Sequence, residues 1–77
     1  MSDVNEIRAL KASLRGAIDT AQTVAGLQAK VEAIDDQAEP DPELLAELAR
    51  ITTGHAVAAS ALRGLIESML KRREGTP

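Results

Sequence analysis

The chain has 77 residues, a formal net charge of −3, no cysteine and no aromatic residue. A chain this short forms one small domain, whose own core buries a modest fraction of its surface. The absence of cysteine excludes disulfides and thiolate metal sites, so association with further copies is the remaining way to gain buried area. Composition therefore predicts a homodimer or a higher homo-oligomer.

Alanine is abundant and the β-branched residues are scattered, which favours helices and argues against a sheet. The first ten residues lack the basic segment and apolar run of a secretory signal. No apolar run reaches the roughly 18 residues that a transmembrane helix needs. The sequence thus predicts an all-α cytoplasmic protein without a membrane span.

A first helix is predicted over about residues 3–37. Asp3, followed three residues later by Glu6, has the pattern of a capping box. Apolar residues then recur at spacings of three and four, which places them on one broad side of a helix. This row contains Ile7, Leu10, Leu14, Ala17, Ala21, Val24 and Val31, flanked by Val4, Ile18, Leu27 and Ile34.

The segment EPDPE at 39–43 predicts a turn at 38–41 and a second helix over about 42–73. Pro40 disfavours helical geometry at Glu39, Asp41 is a good N-cap, and Pro42 suits the first helical position. Gly75 supplies a C-terminal stop. The helix carries a heptad row of Leu44, Leu48, Ile51, His55, Ala58, Leu62, Leu65 and Met69, with a parallel row of Leu45, Thr52, Ala59 and Ile66.

A short connection between long helices predicts a single antiparallel hairpin over residues 1–77. Folding about residues 40 and 41 places Gly26 opposite His55. Small residues would then meet at mid-height and let the helices approach closely. The predicted close contact comprises Ala21, Ala25, Gly26, Gly54, His55 and Ala58. A kink at Gly16, Gly26 or Gly54 is an equally weighted alternative to straight helices.

Each helix has an apolar stripe wider than one partner helix covers, so two hairpins are expected to form a four-helix bundle dimer or a higher oligomer. Seven acidic residues and no basic residue lie between Glu32 and Glu47, whereas the open end of the hairpin is net positive. Head-to-tail pairing would bring these opposite charges together. The alternative is that the acidic turn serves only to stay solvated.

The residues of the sequence give no support for catalysis or for cofactor binding. One histidine without cysteine cannot form an ordinary zinc site within a subunit, and the serines lack a neighbouring base. The glycines form neither a phosphate loop nor a dinucleotide fingerprint. His55 is interpreted as a partly buried residue with a hydrogen-bond partner. We predict no enzyme activity, no metal and no cofactor.

Two charged groups are candidate binding surfaces. Arg8, Lys11 and Arg15 form a basic stripe which, with Arg63, is a candidate site for a small anion or a partner. A second group, Glu32, Asp35, Asp36 and Glu39, is expected on one helical face as an acidic partner surface or a hard-cation site. The net negative charge and the absence of aromatic residues for base stacking argue against nucleic acid.

The main hypothesis is a non-catalytic interaction protein, an adaptor, regulator or inhibitor that acts through its bundle surface on another protein. In architecture the prediction is similar to the Rop type of plasmid-copy regulator, a dimer of helical hairpins, although no sequence motif carries over. The alternative is a small-ligand binder. In size, helical content and expected oligomerisation the chain resembles the phage counter-defence proteins that sequester cyclic nucleotide signals. A third hypothesis is a virus-encoded inhibitor that mimics nucleic-acid charge with its acidic turn.

Overall fold

The structure is a computed structural model that describes residues 4–75. Its elements are α1 (Val4–Ala25), α2 (Gln28–Glu32) and α3 (Pro42–Glu74), and α1 packs along α3. Glu6 forms an ion pair with Arg72, and Lys30 Nζ lies 3.8 Å from Glu47 Oε1. Because the first pair joins the two chain ends and the second lies near the turn, the helices are antiparallel. The predicted all-α helical hairpin is confirmed.

The hairpin is a thin rod. Its principal extents are 60 × 19 × 16 Å and its radius of gyration is 17.8 Å. A compact domain of the same length would have a radius of gyration of about 11.5 Å. The 33 residues of α3 extend over about 50 Å at 1.5 Å per residue, so this helix sets the length of the rod.

The start and end of α3 follow the sequence signals. The Asp41 carboxylate accepts a hydrogen bond of 3.0 Å from the backbone N–H of Glu43, and Pro42 occupies the first turn. At the other end, the Gly75 N–H donates to the Lys71 carbonyl at 2.9 Å. The predicted N-cap is therefore confirmed, and α3 ends at Glu74, directly before Gly75. The Asp3 cap predicted for the first helix lies outside the described residues.

The prediction that the first helix continues to residue 37 is wrong, because α2 ends at Glu32. The Asp35 side chain accepts a hydrogen bond from the Gln37 N–H at 3.0 Å, and the Ala38 N–H donates to the Asp35 carbonyl at 2.9 Å. Such local bonds compete with helix formation. The connection to α3 therefore spans residues 33–41 rather than 38–41.

Of the three alternative kink sites, Gly26 is the one at which the helix is interrupted. The Gly26 N–H still bonds to the Gln22 carbonyl, four residues back, at 2.9 Å. The Leu27 N–H instead bonds to the Val24 carbonyl, three residues back, at 3.0 Å. The backbone hydrogen-bond spacing thus shortens from four residues to three at Leu27, just before α2 begins. Gly16 and Gly54 lie within the continuous helices α1 and α3.

The seam between α1 and α3 confirms the predicted row of α3 and corrects that of α1. All eight predicted seam residues of α3, from Leu44 to Met69, are half-buried. On α1 the half-buried and buried positions are Glu6, Leu10, Ser13, Gly16, Ala17, Thr20 and Val24, and Leu27, which follows α1, is also buried. Three of the residues predicted for the α1 seam, Ile7, Leu14 and Ala21, are instead exposed. The apolar stripe of α1 was wide enough to contain two rows, and the structure buries the one that also carries Ser13 and Thr20.

The two helices are also shifted along each other relative to the predicted register. Thr20, rather than Gly26, lies opposite His55, and their Oγ1 and Nδ1 atoms are 2.8 Å apart. Thr20 Oγ1 also donates to the Ala17 carbonyl at 2.9 Å. With its one hydrogen donated to Ala17, the Thr20 hydroxyl accepts from His55 in the tautomer that carries the Nδ1 proton. His55 is thus a half-buried residue with a hydrogen-bond partner, as predicted.

The hairpin has almost no core of its own. Of the described residues, only Ala17 and Leu27 are buried, with 9% and 5% of their surfaces exposed. Nine larger apolar side chains keep 39% or more of their surface in solvent. A pair of helices has one shared interface, so it cannot cover two apolar rows on each helix.

Candidate interaction surface

Exposed apolar side chains of both helices lie on one side of the hairpin, which we call the outer face. Its members retain between 39% (Ile7) and 53% (Leu70) of their surface in solvent. They are Ile7, Leu14 and Ile18 of α1 with Leu45, Ile66 and Leu70 of α3.

Each outer-face residue directly follows a seam residue in the sequence, as Leu14 follows Ser13 and Ile66 follows Leu65. Successive helical residues are rotated by about 100° in a fixed sense. In an antiparallel pair, that rotation carries the side chains of both helices toward the same side of the hairpin. The exposed rows of α1 and α3 therefore lie side by side.

A shallow groove marks the line where the two rows meet. It has a volume of about 190 Å³ and is lined by Leu10, Ile66, Met69, Leu70 and Arg73. Leu10 and Met69 belong to the seam, whereas Ile66 and Leu70 belong to the outer face. The groove thus shows directly that the apolar surface continues across both helices near the open end of the hairpin.

The total accessible surface of the chain is large for its mass. The accessible area is 6261 Å² for a mass of 8.1 kDa. A compact monomer of that mass exposes about 4,500 Å², so this chain exposes about 1,800 Å² more. A stable protein–protein interface buries about 800 Å² on each partner. The excess is more than one such interface requires.

The predicted small-residue contact is only partly present within the hairpin. His55 and Ala58 lie half-buried in the seam, whereas the remaining four residues, Ala21, Ala25, Gly26 and Gly54, are exposed. A Cβ atom placed on Gly54 would meet no atom within 4 Å outside its own helix backbone. The prediction that Gly54 brings α1 and α3 close together is therefore wrong, because Gly54 directly precedes the seam residue His55 and is rotated by about 100° from it around α3.

The structure places the four basic candidates on two helices, and all of them are exposed. Arg8, Lys11 and Arg15 form no ion pair with any side chain in residues 4–75. Arg63 donates from Nε to Glu67 Oε1 at 2.9 Å, on its own helix. Three cations therefore remain together as a stripe on α1, while the fourth has a carboxylate partner.

The acidic candidates do not share a helical face, because α2 ends at Glu32 and the other three follow it. We call this group, Glu32, Asp35, Asp36 and Glu39, the acidic tip. All four side chains are exposed. Nowhere among the described residues do three or more acidic, histidine or cysteine side chains come together in a way that could hold a metal ion.

Sequence reasoning missed a hollow on α3 that faces away from α1. Its volume is about 550 Å³ and its lining is Thr53, Ala56, Val57, Ser60 and Ala61. Val57 precedes the seam residue Ala58, so it lies on the opposite side of α3 from the outer face, with 65% of its surface exposed. The available signal was the run of small residues around an isolated valine.

Comparison with known proteins adds no relative: no protein-family model, curated protein or solved structure matches the chain. Among the described helices, none combines the length and the apolar character that crossing a bilayer requires.

Proposed function

We propose that this protein is a non-catalytic interaction protein that works as a homodimer, in which the outer faces of two hairpins pack together as a four-helix bundle. The observation that carries the proposal is the excess of about 1,800 Å² of accessible surface over a compact monomer. It coincides with an apolar surface that runs across both helices.

The outer face suits a second copy of the chain. It runs along the hairpin, and its side chains are leucine and isoleucine, which interdigitate well between helices. The two buried residues of a single hairpin supply too little apolar burial to offset the conformational entropy that folding costs. Association would bury the outer face and supply the additional apolar burial.

Dimerisation through the outer face would leave the hollow beside Val57 free for another partner. We propose that the role of adaptor, regulator or inhibitor rests on this hollow, with the bundle holding it in a fixed position.

Sedimentation velocity over concentrations from about 1 to 200 µM tests the proposal, with far-UV circular dichroism recorded on the same samples. We expect a species of twice the monomer mass whose helix content falls on dilution, because folding and association are coupled. A species of 8.1 kDa with constant helix content over the whole range would overturn it.

A second candidate function is the binding of a small anionic ligand, such as a cyclic nucleotide. Its support is the basic stripe of Arg8, Lys11 and Arg15, which lacks ion-pair partners among the described residues. The ion pair of Arg63 with Glu67 weakens the four-residue site expected from the sequence. Thermal unfolding with a panel of cyclic oligonucleotides, with inorganic phosphate as the control, tests this candidate. An unchanged melting temperature across the panel would discard it.

A further inference from the structure

The charges of the hairpin are segregated along its length. Residues 32–47 hold seven acidic side chains and no basic one. Within residues 4–75, the one ion pair that reaches this region joins Lys30 to Glu47. At the other end of the rod, Arg8, Lys11, Lys71 and Arg73 are exposed. The hairpin therefore carries a negative and a positive end that are separated by most of its 60 Å length.

Two symmetric arrangements let a pair of hairpins cover their outer faces. A two-fold axis parallel to the helices puts the acidic tips side by side. A two-fold axis perpendicular to the helices places each acidic tip beside the open end of the other copy. Both place the outer face of one copy against the other copy, and the charges at the two ends of the rod distinguish them.

We infer that the two copies pack with opposite directions, so that the acidic tip of each lies beside the basic open end of its partner. This inference rests on the proposed self-association and adds the orientation of the partner. Two copies of the acidic segment side by side would lie about 10 Å apart, the spacing of packed helices. That distance is close to the Debye length of about 8 Å at physiological ionic strength, so salt screens the repulsion between the two acidic segments only partly.

In the inferred arrangement the two tips lie at opposite ends of a body about 60 Å long. Their repulsion is then screened almost completely, because the separation is several Debye lengths. Each tip instead faces the cations at the partner's open end. Attraction and the relief of repulsion both favour the same orientation.

The positions of the two apolar rows are compatible with such an axis. Leu14 is central in the α1 part of the outer face, and Ala59 is near the middle of the α3 part. Since Thr20 lies opposite His55 and Glu6 opposite Arg72, Leu14 lies within about one helical turn of the height of Ala59. A perpendicular axis at this height therefore passes through the outer face.

Distances between spin labels distinguish the two orientations. The chain contains no cysteine, so a single label can be attached after Gln37→Cys at the acidic tip or after Ser60→Cys near mid-length. Both side chains are exposed and neither belongs to the outer face. The measurement is pulsed dipolar electron paramagnetic resonance on each variant at about 100 µM, with sedimentation velocity on the same samples.

We expect a label separation of about 50–60 Å for Gln37→Cys, set by the length of the hairpin, and below about 35 Å for Ser60→Cys, set by helix diameters. A short distance at both positions would overturn the inferred orientation while leaving the dimer intact. The absence of a dipolar signal at both positions, with monomeric sedimentation, would instead overturn the proposed function.

Discussion

Replacing Leu14 with glutamine tests whether the outer face holds the dimer together. Leu14 lies at the centre of the α1 row and exposes 48% of its surface in the single hairpin. Glutamine has a similar size and a good helix propensity, so α1 itself should keep its conformation. The substitution removes apolar surface that the dimer would bury and adds an amide that the interface would have to desolvate.

The magnitude follows from the exposed fraction. Full burial of a leucine side chain is worth about 1.5–3 kcal/mol, so burial of the exposed half is worth about 1 kcal/mol. A symmetric dimer contains two copies of Leu14, which doubles the loss to about 2 kcal/mol. Because 1.4 kcal/mol corresponds to a factor of ten, we expect the dimer dissociation constant to rise about 30-fold.

Val57→Gln is the matched control. Val57 is exposed to 65%, more than Leu14, but lies on the opposite side of α3. It should leave the dissociation constant within about twofold of the unsubstituted chain, since surface substitutions outside a contact change little. Sedimentation equilibrium gives both constants, and circular dichroism checks that the helices persist. Equal weakening by the two substitutions, or an unchanged constant for Leu14→Gln, would refute the assignment of the interface.

Three further predictions concern the stability of the hairpin, measured by urea denaturation at a fixed chain concentration. Thr20→Val should lower the free energy of unfolding by about 1 kcal/mol, because it removes the hydrogen-bond partner of His55 in the seam. Asp41→Ala should cost about 1 kcal/mol by removing the side-chain cap of α3, whereas Asp36→Ala in the acidic tip should cost little. Gly54→Ala should stabilise the chain by up to about 1 kcal/mol, because a Cβ there meets open space and alanine favours the helix.

Each of these predictions has an outcome that contradicts it. Thr23→Val is the control for Thr20, since the Thr23 hydroxyl is exposed and bonds only to the Asp19 carbonyl of its own helix. Equal effects of the two threonine substitutions would mean that the bond to His55 contributes nothing. Equal effects at Asp41 and Asp36 would contradict the cap. A loss of stability in Gly54→Ala would restore the idea that close packing needs glycine at this position.

Local signals in the sequence were sufficient for the helix type and for the boundaries of α3. Asp41 and Pro42 fix its start through one side-chain hydrogen bond and one fixed backbone angle, both of which act within a single turn. The strict heptad row from Leu44 to Met69 also identified which side of α3 faces α1. Such features depend on residues within four positions of one another, so they can be read without knowing the partner helix.

The tertiary structure alone decided the seam of α1, the register and the outer face. The apolar stripe of α1 contains two rows, and Leu14 and Ala17 looked equivalent in the sequence. The row with Ser13 and Thr20 is buried, and Thr20 there meets His55 across the seam. The connection at 33–41 is longer than predicted, and one helix is shifted along the other relative to the predicted register, so that Gly26 does not lie opposite His55. Pairing between helices depends on atoms far apart in the chain, so local periodicity cannot fix it.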